Sequence, residues 1–99
     1  MITRIVRLSF DPQRVDDFKK LFYASQPHIE QMPGCKKVDL FLDSALPNVF
    51  YTLSLWQNEN ALNDYRNSAL FRETWSKTKA MFNDKPQAWS LLPQMNNTI

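Results

Sequence analysis

At 99 residues the chain is near the small end of what folds alone and predicts one domain; 43% hydrophobic and 13% aromatic residues provide a core and argue against a disordered chain. A net charge of +2, with acids and bases interspersed, argues against a polyanion-binding surface, so Lys36-Lys37 and Lys77 with Lys79 read as solvated faces. The single cysteine, Cys35, excludes an internal disulfide, and the lack of an early apolar run or a segment of transmembrane length gives the cytoplasm as the expected address.

From Ile2 to Phe10 the chain alternates as a strand does, with Arg4, Val6, Leu8 and Phe10 on one side and Thr3, Ile5, Arg7 and Ser9 on the other. Asp11-Pro12 opens a helix, as an acidic N-cap followed by proline, and Phe10 and Val15 stand at hydrophobic-staple positions. Val15, Phe18, Leu21, Phe22, Ser25 and Ile29 continue one face, and Pro27 within it predicts a kink or an early end. Met32-Pro33-Gly34 is a break; the only glycine of the chain follows proline, as a type II turn with a positive φ requires.

Cys35 to Asp43 reads as a second strand with Val38, Leu40 and Leu42 on one face, and Ser44 to Asn48 as a loop. Val49 to Trp56 is a third strand, in which Phe50, Thr52, Ser54 and Trp56 oppose Tyr51, Leu53 and Leu55. Asn58 caps a helix whose apolar face is Ala61, Leu62 and Tyr65, and Ser68 reopens it before Phe71 and Trp75. This broken helix is expected over roughly residues 59–82, stopped by Asp84-Lys85-Pro86, with a fourth strand from Ala88 to Leu92. Residues 1–92 form the expected domain and 93–99 a loose tail.

The order is β-α-β-β-α-β, a ferredoxin-like α+β fold with an antiparallel sheet. Helices cover one face of such a sheet, yet both faces carry apolar side chains, so a twofold partner and a homodimer are expected.

The segments RIVRLSFDPQRVDDFKKLF, MPGCKKVDLFLD, PNVFYTLSLWQNENALNDYRNSALFRETW and KPQAWSL, in this order, resemble the antibiotic biosynthesis monooxygenase family of dimeric α+β barrels. The hallmarks are the Pro-Gly-Cys turn that opens the second strand and a strand ending in Trp before a capped helix with an Ala-Leu pair. The resemblance implies two sheets packed into a shared barrel, with a pocket in each subunit between sheet and helices. It also implies cofactor-independent oxidation of aromatic polyketides or quinols, or haem degradation; other members have no known activity, and the fold alone does not choose. The haem-degrading branch places an iron-ligating histidine on the second helix, where this chain has Tyr65 and no His, so that activity is disfavoured.

The residues themselves limit the chemistry. No metal-ligand spacing occurs, one glycine cannot build a phosphate-cradling loop, and Cys35 reads as a small core residue, so neither metal nor cofactor is expected. What remains is an aromatic pocket able to position an electron-rich ring, steady its anion and exclude water while dioxygen reacts. Tyr65 and Arg7 are the candidate catalytic residues, Arg7 steadying an oxyanion where its side of the sheet faces the pocket. Trp56, Ser54, Phe71 and Trp75 are the candidate substrate-binding residues; Ser9 and Thr52 offer further hydroxyls and Phe82 apolar wall. The same residues also read as plain core, with Tyr65 capping it and Arg7 in solvent. A non-catalytic ring-binding or stress-response homodimer is the alternative function. An isomerase or lyase using His28 as base is a third.

Overall fold

The computed structural model describes residues 1–94; the end of the expected tail, residues 95–99, lies outside them. The elements run β1 (Ile2–Ser9), a 3₁₀ turn (Pro12–Arg14), α1 (Val15–Glu30), β2 (Cys35–Leu42), β3 (Val49–Trp56), α2 (Glu59–Arg66), α3 (Ala69–Lys79) and β4 (Gln87–Leu91). The strands form one antiparallel sheet in the order β2-β3-β1-β4. This is the ferredoxin-like α+β arrangement that the order of elements predicts.

Turn and cap chemistry sets the element boundaries. The Asp11 side chain accepts from the Gln13 amide at 3.0 Å and starts the 3₁₀ turn that leads into α1. Asn58 accepts from the Ala61 amide at 2.9 Å, and Ser68 from the Phe71 amide at 3.1 Å, so the broken helix is two capped helices. Gly34 has φ +81°, and the Cys35 amide donates to the Met32 carbonyl at 3.0 Å, closing the predicted turn. A Cβ on Gly34 would stand 2.5 Å from the Ala61 Cβ, which fixes how closely the turn approaches α2.

Two expectations shift. Pro27 does not end α1, which continues to Glu30; proline denies the Tyr23 carbonyl its helical donor, on a solvent-facing side that tolerates the loss. The second helical region stops at Lys79, short of Phe82, because the amides of Met81 and Phe82 turn back to Thr78 and Lys79. Phe82 instead bridges to Phe10, and the Asp11 amide donates to the Met81 carbonyl at 3.0 Å, tying the end of α3 to the end of β1.

The core lies between the helices and one sheet face. Phe10 stacks on Phe18 with centroids 4.0 Å apart, and Phe50 meets both rings. Each such ring, fully buried, contributes about 1.5–3 kcal/mol. The opposite face carries Ile5, Tyr51 and Leu53 in the middle, with Phe41 (50% exposed), Trp89 (44%) and Leu91 (47%) bare to either side. Among the described residues no helix is long and apolar enough to cross a membrane.

Candidate ligand cavity

Register places the cavity. On the helical face of the sheet, Arg4 of β1 lies opposite Ser54 of β3 and Ser90 of β4, and Val6 lies opposite Thr52 and Ala88. Above this row, between the sheet and the three helices, is a cavity of about 360 Å³. That is at the small end of ligand sites, and the lining is of the usual kind, mostly apolar with a few converging polar groups. Val6, Leu8, Phe18 and Phe22 supply apolar wall, and Thr74 and Thr78 of α3 bring hydroxyls. The Thr78 hydroxyl is already bonded to the Thr74 carbonyl at 2.8 Å.

An aromatic series follows α2 and α3 along one side. Tyr65 stacks on Trp56 at 5.0 Å and meets Phe71 edge-on at 5.2 Å; Phe71 stacks on Trp75 at 5.7 Å, and Trp75 meets Phe82 at 5.6 Å. Helical spacing explains the run. Phe71 and Trp75 are four residues apart on α3, and Ser68 restarts the helix so that they follow Tyr65 on the same side.

Of the residues expected at the site, Trp56, Ser54, Tyr65, Phe71 and Trp75 all border this cavity. Their positions are not equivalent. Trp56 is 0% exposed and donates its indole N–H to the Ser54 hydroxyl at 2.9 Å, so it backs Tyr65 and offers no free face of its own. Thr52 also borders the cavity. Ser9 does not: its hydroxyl donates to Asn83 at 2.6 Å, and Phe82 packs behind Trp75 and Phe10.

Arg7 is placed elsewhere. It lies on the opposite sheet face, in register with Tyr51, and is not among the cavity residues. Its charge acts on Asp43, whose carboxyl is held below its ordinary range first by the Ala45 amide, then by the Leu46 amide, with Tyr51 and Arg7 adding to the effect. The cations that do border the cavity are Arg4, which donates to the Ser90 hydroxyl at 2.9 Å, and Arg66, in the last turn of α2. Burial first, and the like charge of Arg66 second, lower the Arg4 pKa from its ordinary value.

Tyr65 borders the cavity with its phenol largely buried. Burial first, then nearby Cys35, push its phenol up to about 12, so at neutral pH it is a hydrogen-bond donor and not a base. The hydroxyl has no hydrogen-bond partner among the described residues and is not fully buried. Among the described residues no Asp, Glu or His borders the cavity. His28 is exposed in the last turn of α1, away from these groups. Burial, and after it the Glu30 carboxylate, push the Cys35 thiol up, which makes it a poor nucleophile. Among the described residues no three His, Cys, Asp or Glu side chains converge as a metal site would need.

The family model described as antibiotic biosynthesis monooxygenase matches residues 1–76. Solved structures resemble the whole fold. One described as antibiotic biosynthesis monooxygenase aligns with a TM-score of 0.88 at 20% identity, covering 95% of this chain and 99% of its own. Rv0793 from Mycobacterium tuberculosis aligns at 0.87 with 15% identity, covering 98% of each chain. A conserved protein from Methanosarcina mazei Go1 aligns at 0.88 with 17% identity, covering 95% of this chain and 94% of its own. At these identities the likeness is one of fold. No curated protein matches the chain.

Proposed function

The chain belongs to the antibiotic biosynthesis monooxygenase family, and from that premise we propose that its cavity binds a small aromatic or quinol-like compound and oxidises it with dioxygen, with no metal or flavin. The observation that carries this reading is a cavity bordered by an aromatic wall of Tyr65, Phe71 and Trp75, whose Tyr65 phenol is neutral and unpartnered among the described residues, and by Arg4.

The substrate supplies the electrons. A doubly activated methylene loses a proton to give a carbanion or its enolate form, or a phenol loses its O–H proton to give a phenolate whose charge is shared with the ring carbons. That anion passes one electron to dioxygen, and the carbon radical and superoxide combine in a C–O bond. A methylene-derived peroxide then loses water, so that R₂CH₂ and O₂ become R₂C=O and H₂O. No external reductant is needed.

The chain's own groups favour the anion over its acid. Arg4 places a positive charge near it, and Tyr65 donates a hydrogen bond to the developing oxyanion. Phe71 and Trp75 hold the ring and keep water from the radical pair. With no carboxylate or imidazole bordering the cavity among the described residues, the first proton leaves to water, and the reduced oxygen takes up protons only after electron transfer. Oxygen uptake that is lost in Tyr65→Phe and retained in His28→Ala would support this assignment; uptake that follows His28 would replace it with base catalysis.

The missing base also favours a second reading, a non-catalytic binder of ring compounds on the same scaffold. Tight binding of a compound recovered chemically unchanged would select it. On either reading we propose a homodimer, with the face of Ile5, Leu53, Phe41 and Trp89 covered by a second copy. A sheet with bare aromatic and aliphatic side chains is costly to leave in water, and a twofold copy is self-complementary.

A further inference from the structure

We propose that the cavity selects ring compounds carrying an oxyanion, a carboxylate or an ionised phenol, which Arg4 and Arg66 hold between them. The inference deepens the proposed function, because it names the charge class of ligand for the same cavity.

The charge balance of the cavity is one-sided. Among the described residues two guanidinium groups border it and no carboxylate does. Of the twelve Lys and Arg side chains, three sit against acids among the described residues, Arg14 against Asp17 at 3.1 Å, Lys37 against Asp39 at 3.3 Å and Lys77 against Glu73 at 3.8 Å; what sets Arg4 and Arg66 apart from the other unpaired cations is that they border the cavity. Arg4 and Arg66 form no ion pair among the described residues, and each instead has the other as a charged neighbour.

Arg66 has a local reason to be where it is, since a cation in the last turn of α2 suits the helix dipole. Arg4 has none. It is half-buried in the middle of the sheet, on the same face as Val6 and Leu8, where an apolar residue would pack better. One of its N–H groups goes to Ser90, and that bond fixes the guanidinium while leaving its other donors without a partner among the described residues. A partly desolvated cation beside a like charge weakens the fold. Such a local conflict is typical of a site that a ligand completes.

The chemistry of the missing partner follows. A planar guanidinium with free donors matches the two oxygens of a carboxylate, and an ionised phenol presents one oxygen to the same fork. Next to Arg66 in sequence is Tyr65, which presents its ring and its hydroxyl, with Phe71 and Trp75 beyond. Charge at one end and stacked rings beside it describe an aromatic acid more closely than a neutral ring or a phosphate.

The test is isothermal titration of the full chain at low salt with matched pairs that differ only in charge: benzoate with benzamide, naphthoate with naphthamide, and anthracene carboxylate with its carboxamide. For at least one ring size the carboxylate is expected to bind about tenfold or more tightly than the amide. Arg4→Gln and Arg66→Gln each reduce that ratio severalfold, and together they abolish it while amide affinity stays the same. If Arg4→Gln fails to fold, Arg66→Gln at the exposed helix end decides alone. Equal affinity within every pair, a preference that survives loss of both arginines, or no carboxylate binding at all would overturn the proposal. Naphthol titrated at pH values on either side of its own ionisation separates the two oxyanions. Preference for naphtholate over naphthol, together with the carboxylate preference, means that the site reads charge in general; carboxylate preference alone narrows the class to acids. The probes need no turnover, so failure of oxygen uptake with carboxylate preference intact would overturn only the catalytic reading.

Discussion

Tyr65 lies nearly flat on Trp56, with centroids 5.0 Å apart and planes 20° from parallel, and Trp56 is itself pinned to Ser54 through its indole N–H at 2.9 Å. The hydroxyl of Tyr65 is thus aimed by a ring that is wholly buried and hydrogen-bonded. Function at Tyr65 and stability at Trp56 are separable in consequence. Trp56→Ala empties a filled site and is expected to cost about 3–5 kcal/mol in urea denaturation. Tyr65→Phe keeps the stacked ring and is expected to cost less than about 1 kcal/mol, while lowering turnover about 10- to 100-fold through loss of the donor. Equal stability losses in the two variants would refute the division.

The Tyr65 phenol is raised, so its neutral form is favoured by the fold. The sign follows from linkage: an acid with a higher pKa when folded adds stability below its unfolded pKa, and that contribution fades as pH rises toward the folded one. Tyr65 is expected to ionise at about 12 in an ultraviolet tyrosinate titration, and the fold to weaken between about pH 10 and 12. In Tyr65→Phe the late step disappears. A complete titration below pH 10 would contradict this.

Gly34→Ala meets two obstacles: a backbone at φ +81° and a Cβ placed 2.5 Å from that of Ala61. The Gly34 carbonyl also accepts from the Gln57 amide at 2.7 Å, so the turn cannot simply swing away. A loss of about 2 kcal/mol or more in denaturant midpoint is expected, larger than for Ala at an ordinary turn residue. Restoration of stability by Ala61→Gly in the Gly34→Ala background would identify the close approach as the cause; no restoration would leave the φ strain as the whole effect.

Arg4 and Arg66 oppose one another in the free protein, burial adding to the cost for Arg4. Arg66→Gln is therefore expected to keep or raise the thermal midpoint, where loss of an ordinary solvent-exposed arginine at a helix end would lower it slightly. A clear fall in the midpoint would show that Arg66 has a stabilising partner.

The bare sheet face predicts association. Leu53→Asp, in the centre of that face and opposite Ile5 and Asp39, is expected to convert a dimer to a monomer in sedimentation velocity. Wild-type protein that sediments as a monomer at micromolar concentration would remove the twofold partner.

Local chemistry was legible in the sequence. Asp11, Asn58 and Ser68 each accept the amide expected of a cap, and Gly34 adopts the positive φ that the Pro-Gly pair implies. Alternation also sorted the side chains of β1 correctly, with Arg4 in the same row as Val6 and Leu8. What alternation does not tell is which row meets the helices. Arg7 required its own row to face the pocket, but packing of Phe10, Phe50 and Trp56 against the helices turns the other row inward and makes Arg4, with Arg66, a cavity cation. A cation within an otherwise apolar row was the available signal. Arg66 gave none, because a basic residue ending a helix is ordinary. Trp56 was legible as an aromatic on the pocket side, but its full burial under Tyr65 depends on how α2 settles on β3, a tertiary matter.

Dissolved-oxygen uptake with a panel of anthrones, naphthols and hydroquinones, by metal-stripped wild-type protein, its denatured form and Tyr65→Phe, tests the central claim most directly. Uptake that requires the folded chain and falls at least tenfold in Tyr65→Phe, with the oxidised product and no hydrogen peroxide in solution, is the predicted result. Uptake equal in the denatured protein or in Tyr65→Phe, or no uptake with compounds that the protein demonstrably binds, would contradict it.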